Sequence, residues 1–263
     1  MQNFTDYIYL GGNPFEEKQI NYVAKIFLVV ARAVRTLREY YHFLRPRDRR
    51  EPCTLLPNPT YLPNSPLVGS FIFKNRVEFP RVNSDGKSSA DYRRTIFLAT
   101  YEEKPVLVKF CDRYSEAAHR TLAAAGLAPR LHFCSPIIGD IFMVVMDLVG
   151  GQDAYSEFRH RDLPSTVLND VKHALETLHD AGLVFGDVRR PNIMVYKSQE
   201  KGSEEWRGML VDFDWAGPIG QSKYPAMLNT SGQVKWAEGA APAAEIKTEH
   251  DLDMLEKLKL GTD

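Results

Sequence analysis

The sequence predicts an α+β protein: one long N-terminal helix, then a strand-rich half, then a half dominated by helix. Three patterns carry this. Apolar residues recur at steps of three and four from Glu16 to Leu44, the signature of an amphipathic helix. Short strand-like runs crowd the stretch from Ser70 to Met146. A second helical pattern, Ser165 to Asp180, leads into two apolar runs joined by a polar linker, which reads as a hairpin.

At 263 residues the chain holds one two-lobed domain or two small ones. Its 44% apolar and 25% charged residues are those of an ordinary globular protein. A net charge of -1 gives no basic field for nucleic acid or a membrane surface, so neither is expected as a partner. Cys53, Cys111 and Cys134 are too scattered for a disulfide framework or a zinc site, and a reducing compartment follows. Met1 to Leu10 is mixed and polar, unlike a signal peptide. The apolar stretch Tyr22 to Val34 is broken by Lys25 and Arg32 and falls short of the roughly 20 residues that span a bilayer. An intracellular location, cytoplasmic or nuclear, is the expectation.

Residues 1 to 16 read as a loose arm, with Asn13-Pro14 as a helix start. In the helix, Ile20, Val23, Phe27, Val30, Val34, Leu37 and Tyr41 form one apolar stripe, expected to pack on the neighbouring lobe rather than to recruit a partner. The basic run Arg45 to Arg50 is a solvated helix end, where cations favour the dipole. Five prolines between Pro52 and Pro66 mark a linker. Strands are expected at Ser70–Phe73, Val77–Phe79, Thr95–Thr100 and Val106–Phe110, with a polar loop Asn83–Asp91 carrying the turn Ser84-Asp85-Gly86. Alternation puts Lys109 on the face of Leu107; taken alone it would sit at a solvated rim.

Tyr114 to Ala125 reads as a helix ended by Gly126, with Glu116 in its first turn. Arg130–Cys134 and Ile141–Met146 are strands around a turn at Gly139-Asp140, the second buried on both faces. Gly150-Gly151 lets the chain turn. Ser165 is the expected cap of the Ser165–Asp180 helix. His173 and His179 on that helix lack a companion cluster and read as packing or surface residues. A final helix runs from His250 to Leu258, with Asp251 at its start.

Between these helices lies LVFGDVRRPNIMV, Leu183 to Val195. Asp187 and Asn192 stand five residues apart, and the second apolar run, Met209 to Phe213, carries Asp212. The hairpin brings Asp187, Asn192 and Asp212 to one end of a small sheet. One carboxylate can accept a hydroxyl proton, while an amide oxygen and a second carboxylate can hold Mg2+ against phosphates.

GDVRRPNIMV and VDFDWAG, with VLVKF and VVMD upstream, resemble the protein-kinase-like superfamily over roughly Val106 to Leu255, in the order its motifs take. The wording is most similar to small fungal kinase-like proteins, and also to aminoglycoside and choline phosphotransferases. The resemblance implies a bilobal α+β fold, with an antiparallel-sheet N-lobe over 67–147 and a mostly helical, shortened C-lobe over 148–263. Residues 1–66 are then a helical extension and linker. It implies ATP and Mg2+ as cofactors, and transfer of the γ-phosphate to a protein or small-molecule hydroxyl.

By the same resemblance Asp187 orients or deprotonates the acceptor, Asn192 and Asp212 hold the metal, and Lys109 contacts the nucleotide phosphates with Glu116 as its partner. The backbone of Asp147 to Val149 pairs with an adenine edge. Arg189 or Arg190 neutralises the transferring phosphate. Asp251 braces the catalytic loop, and Asp214 is a second metal ligand or a cap. Pro242-Ala243-Ala244-Glu245 is only a faint echo of the motif that closes the family's activation segment.

Four departures stand out. No Gly-x-Gly-x-x-Gly occurs in the first lobe, Phe185-Gly186 replaces the His-Arg common before the Asp, Asp214 replaces a Gly, and little follows Asp251. The missing Arg removes the usual partner of an activation-loop phosphate. The shortened second lobe weakens the expectation of a protein substrate. A scaffolding pseudokinase is therefore a competing expectation. A metal-dependent hydrolase fits poorly, since no His cluster accompanies the acids.

Overall fold

Residues 16–43, 57, 71–77, 79–82, 88–91, 95–137, 141–159, 161–198 and 204–259 are described by a computed structural model. The N-terminal arm with Asn13-Pro14, the basic run Arg45 to Arg50, Cys53, most of the Pro52–Pro66 segment, the Ser84-Asp85-Gly86 turn, Gly139-Asp140 and Gly202-Ser203 lie outside the described residues. The chain divides into two compact units, Met1–Cys53 and Thr54–Asp263.

In the first unit, α1 (Glu16–Phe43) is one uninterrupted helix. Its stripe is exposed: Ile20, Phe27, Leu37 and Tyr41 each show more than half their surface. No helix among the described residues is long and apolar enough to cross a membrane.

The second unit begins with a five-stranded antiparallel sheet. Its strands are β1 (Phe71–Arg76), β4 (Thr95–Tyr101), β5 (Lys104–Cys111), β6 (Leu131–Pro136) and β7 (Phe142–Asp147), in the order β1-β4-β5-β7-β6. Alternation sorts its side chains. Val106, Val108, Met143 and Val145 join Phe97 and Ala99 in one core, while Val144 and Met146 pack with Leu131 on the other face. β7 is thus buried on both faces, as its unbroken apolar run requires.

Between β1 and β4 a separate hairpin, β2 (Phe79–Val82) and β3 (Ser88–Asp91), corrects two expectations. Of the expected Val77–Phe79 strand, Val77 lies just past β1, its amide donating to the Ile96 carbonyl, and Phe79 opens β2, while Glu78 lies outside the described residues. Half of the expected Asn83–Asp91 loop is strand. Ser88-Ser89-Ala90-Asp91 has no apolar alternation to announce it, and pairing with β2 supplies its backbone bonds.

α2 (Glu116–Ala124) starts where the Ser115 hydroxyl accepts the Ala118 amide. Next come β8 (Gln152–Asp153) and a short α3 (Ala154–Phe158) capped by Asp153, neither of which was expected. α4 (Ser165–Asp180) follows. Ser165 is not its cap; Pro164, extended at ψ 142, takes that position without a side-chain bond. β9 (Leu183–Val184) pairs with β12 (Gly217–Pro218), and β10 (Ile193–Ser198) forms the expected hairpin with β11 (Glu205–Leu210). α5 (Thr248–Lys259) closes the described chain.

One core joins these parts. Val167, Val171, Ala174, Leu175 and Leu178 of α4 meet Ala118 and Leu122 of α2, Ile193 and Leu210 of the hairpin, and Met254 and Leu258 of α5. Each large apolar side chain buried there contributes about 1.5–3 kcal/mol. Asp170 fixes α4 to β11: it accepts two bonds from Arg207 and one from the Gly208 amide. This pairing holds still the hairpin from whose ends the polar loops emerge.

Candidate active site

The hairpin register sets the site. Ile193 faces Leu210, so Asn192 and Val211 flank the ladder's end, and the Val211 amide donates to the Asn192 carbonyl at 3.0 Å. Asp212 comes next in the left-handed region, φ 70, a conformation Asp tolerates better than most residues. That turn sends alternate side chains in opposite directions. Phe213 enters the core, stacked on His119 of α2 at 4.6 Å and edge-on to Phe185. Asp212 and Asp214 turn the other way, onto Lys109 of β5.

Lys109 is buried and ion-paired with both acids, at 2.6 Å to Asp214. Burial alone would lower its ammonium, but the two carboxylates outweigh that and hold its pKa above the ordinary value. Burial first, and the Asp212 charge second, push the Asp214 carboxyl up to about 7. Tyr114 covers the ammonium, its ring centre 5.7 Å from Nζ.

Glu116 does not hold Lys109. It pairs with Arg120 one turn along α2 at 2.7 Å, and both side chains are about half exposed. The acids two and four residues past the hairpin take its place: they reach a buried ammonium that an exposed helix face does not meet.

Asp187 is buried, and its two oxygens accept a forked pair of bonds from Arg189, at 2.5 and 2.8 Å. Burial raises its pKa; Arg189 opposes this, and the nearby Asp212 charge adds to it. The Arg189 guanidinium also lies 5.0 Å from the centre of the Trp236 ring. Of the two arginines, Arg190 is spent on structure: it donates to the carbonyls of Phe158 and Arg161. The Asn192 amide nitrogen donates to the Asp187 carbonyl at 2.9 Å.

Asp251 ties this loop down. Its carboxylate, 1% exposed on its side chain, accepts the amides of Phe185 and Gly186 at 2.8 and 2.7 Å and pairs with His179. Gly186, at φ +83, is required: a Cβ there would meet Ile246 at 2.8 Å. At the far end of the sheet the Asp147 amide donates to the Arg130 carbonyl and its carboxylate pairs with His132. Val149 follows just beyond β7.

A family of fungal protein kinases matches residues 153–253, a span that contains Asp187, Asn192, Asp212, Asp214 and Asp251 but not Lys109. Among solved structures the chain is similar to PK-1, a kinase of the Cydia pomonella granulovirus. The TM-score is 0.51 and identity 13%, covering 73% of this chain and 70% of the viral one. No curated protein sequence matches. The chain has a protein-kinase-like fold, and within it residues 153–253 are similar to the fungal protein kinase family. At that identity the viral enzyme shares the fold, and the kinase-like C-lobe carries the motif match.

Within this kinase-like fold, sequence reasoning missed three residues around the site: Tyr114, His119 and Trp236. His119 had a legible signal, lying three residues after Glu116 on the helix side that carries Ala118 and Leu122 inward. Trp236 had none, because only the folded segment brings it to Arg189.

Proposed function

We propose that the chain is an ATP- and Mg2+-dependent phosphotransferase that moves a nucleotide's γ-phosphate to a hydroxyl of a protein or small molecule. The convergence of Asp212 and Asp214 on Lys109, beside the Asp187–Asn192 loop, carries this reading. Two crowded carboxylates, one pushed up to about 7 by burial and its neighbour, form a set that a divalent cation would relieve. Among the described residues no three His, Cys, Asp or Glu side chains cluster as a metal cage. Two acids with the Asn192 amide oxygen suit Mg2+, which binds through one or two carboxylates and keeps its waters.

When bound, Mg2+ supplies charge neutralisation on the phosphate oxygens. Asp187 accepts the acceptor hydroxyl's proton as the new O–P bond forms and the bond to the nucleotide breaks; each of its oxygens keeps a lone pair beyond its Arg189 bond. Arg189 sits where it can pass from Asp187 to the transferring group. Lys109 holds phosphate oxygens, and Val149 offers backbone to an adenine, since the Asp147 amide is already donated. The β2–β3 hairpin occupies the chain position of the absent glycine loop.

A second reading has its own support. Lys109 is neutralised by Asp212 and Asp214, and Asp187 by Arg189, as in a scaffold that performs no transfer. Thermal unfolding with ATP, Mg2+ or both separates the two. At ligand near 100 times its Kd the expected gain is about 2.7 kcal/mol, several degrees in Tm. The gain should need both ligands and disappear in Asp212→Asn, whose side chain also tolerates φ 70. No shift in the wild type would overturn the phosphotransferase reading and favour the scaffold.

A further inference from the structure

We propose that α1 is a self-association element: two copies of the chain pair through it as an antiparallel two-stranded coiled coil. The seam residues Ile20, Val23, Phe27, Val30, Val34, Leu37 and Tyr41 alternate steps of three and four without a break. That is a period of 3.5, which keeps one seam facing a partner helix along its whole length; an ordinary surface helix follows 3.6. The helix is 28 residues, and its seam from Ile20 to Tyr41 runs for about 32 Å. Charged residues Lys18, Lys25, Arg32 and Glu39 recur every seven on the opposite side. Ala24, Ala31 and Ala33 flank the seam and let a second helix approach closely.

Charge decides the direction. A parallel pair would set Arg38 beside the partner's Ala33, where it meets no acid. In the antiparallel pair two symmetric registers one heptad apart close the seam, and charge selects the one in which Ile20 meets the partner's Leu37, Val23 the partner's Val34, and Phe27 the partner's Val30. The same register brings Glu17 beside the partner's Arg38, twice per dimer, and Ala24 beside the partner's Ala31. Phe27, Val30, Val34 and Leu37, between 42% and 69% exposed, then gain a cover.

Sedimentation equilibrium of the whole chain across the micromolar range tests this, with the thermal transition of the second unit as a folding control. The wild type should be a dimer. Val30→Glu, which keeps a good helix former, should raise the dissociation constant about a hundredfold or more and leave the control unchanged. Arg38→Glu should weaken the dimer several-fold, and adding Glu17→Arg should restore it. Unchanged association of Arg38→Glu would instead show the parallel pair and overturn the proposal. So would a dimer indifferent to Val30→Glu, or a wild-type monomer, whether α1 then docks on its own chain or binds lipid vesicles.

Discussion

Asp251 spends both carboxylate oxygens on the backbone of the loop that carries Asp187, so its loss is felt as stability before chemistry. Asp251→Ala orphans two buried amides, and urea unfolding should show a loss of about 2–5 kcal/mol. Asp251→Asn, which retains one acceptor oxygen, should cost less. Gly186→Ala is a different injury: a Cβ against Ile246 and a strained φ, expected to cost about 1–3 kcal/mol in the same assay. Asp251 was singled out by the family resemblance, since its place at the start of a helix alone reads as an ordinary helix-start carboxylate. The need for glycine at 186 was not, because Ile246 approaches from sixty residues away.

At the scale of elements, α2 and the turn before β5 make the informative cases. His119 is fully buried in α2; its Nε2 bonds the Pro129 carbonyl at 2.7 Å and its Nδ1 the Tyr114 hydroxyl at 2.7 Å. Burial pushes its pKa down to about 4, below the usual 6.5. The unfolded chain therefore takes up a proton that the folded chain refuses. The His119 contribution is intact above about pH 6.5 and is lost as pH falls from there toward 4, up to about 3 kcal/mol. His119→Phe should flatten that limb of the stability–pH curve, at some cost near neutrality from the orphaned Tyr114 and Pro129 groups.

The turn between β4 and β5 puts both Glu102 and Glu103 at positive φ, the geometry of a tight hairpin that prefers Asn-Gly. Replacing the pair with Asn-Gly should raise stability by about 1 kcal/mol, read as an upward shift in the denaturant midpoint. The sequence located this hairpin but did not reveal its strain, since two glutamates advertise no turn type.

For the whole molecule, two units imply two unfolding events. Scanning calorimetry should show one transition that rises with protein concentration, belonging to α1 pairing, and one that does not. ATP with Mg2+ should move only the second. The expected extension and lobes at 1–66, 67–147 and 148–263 stand beside a division that falls at residue 53, within the stretch between α1 and β1. Proline content pointed to that region, but where compactness ends depends on contacts that composition does not record.

The sequence by itself determined the kinase-like fold class, the central sheet strands, α4, and the spacing of Asp187, Asn192 and Asp212. Periodicity and motif order are local properties, and they survive being read one residue at a time. Only the tertiary structure decided who pairs with whom. It gave Lys109 to Asp212 and Asp214 rather than to Glu116, because the left-handed turn at Asp212 aims both acids at a buried ammonium. It divided two adjacent arginines, sending Arg190 to the α3 carbonyls and Arg189 to Asp187. Which charge neutralises which depends on distances across the fold, and a chain read in order does not contain them.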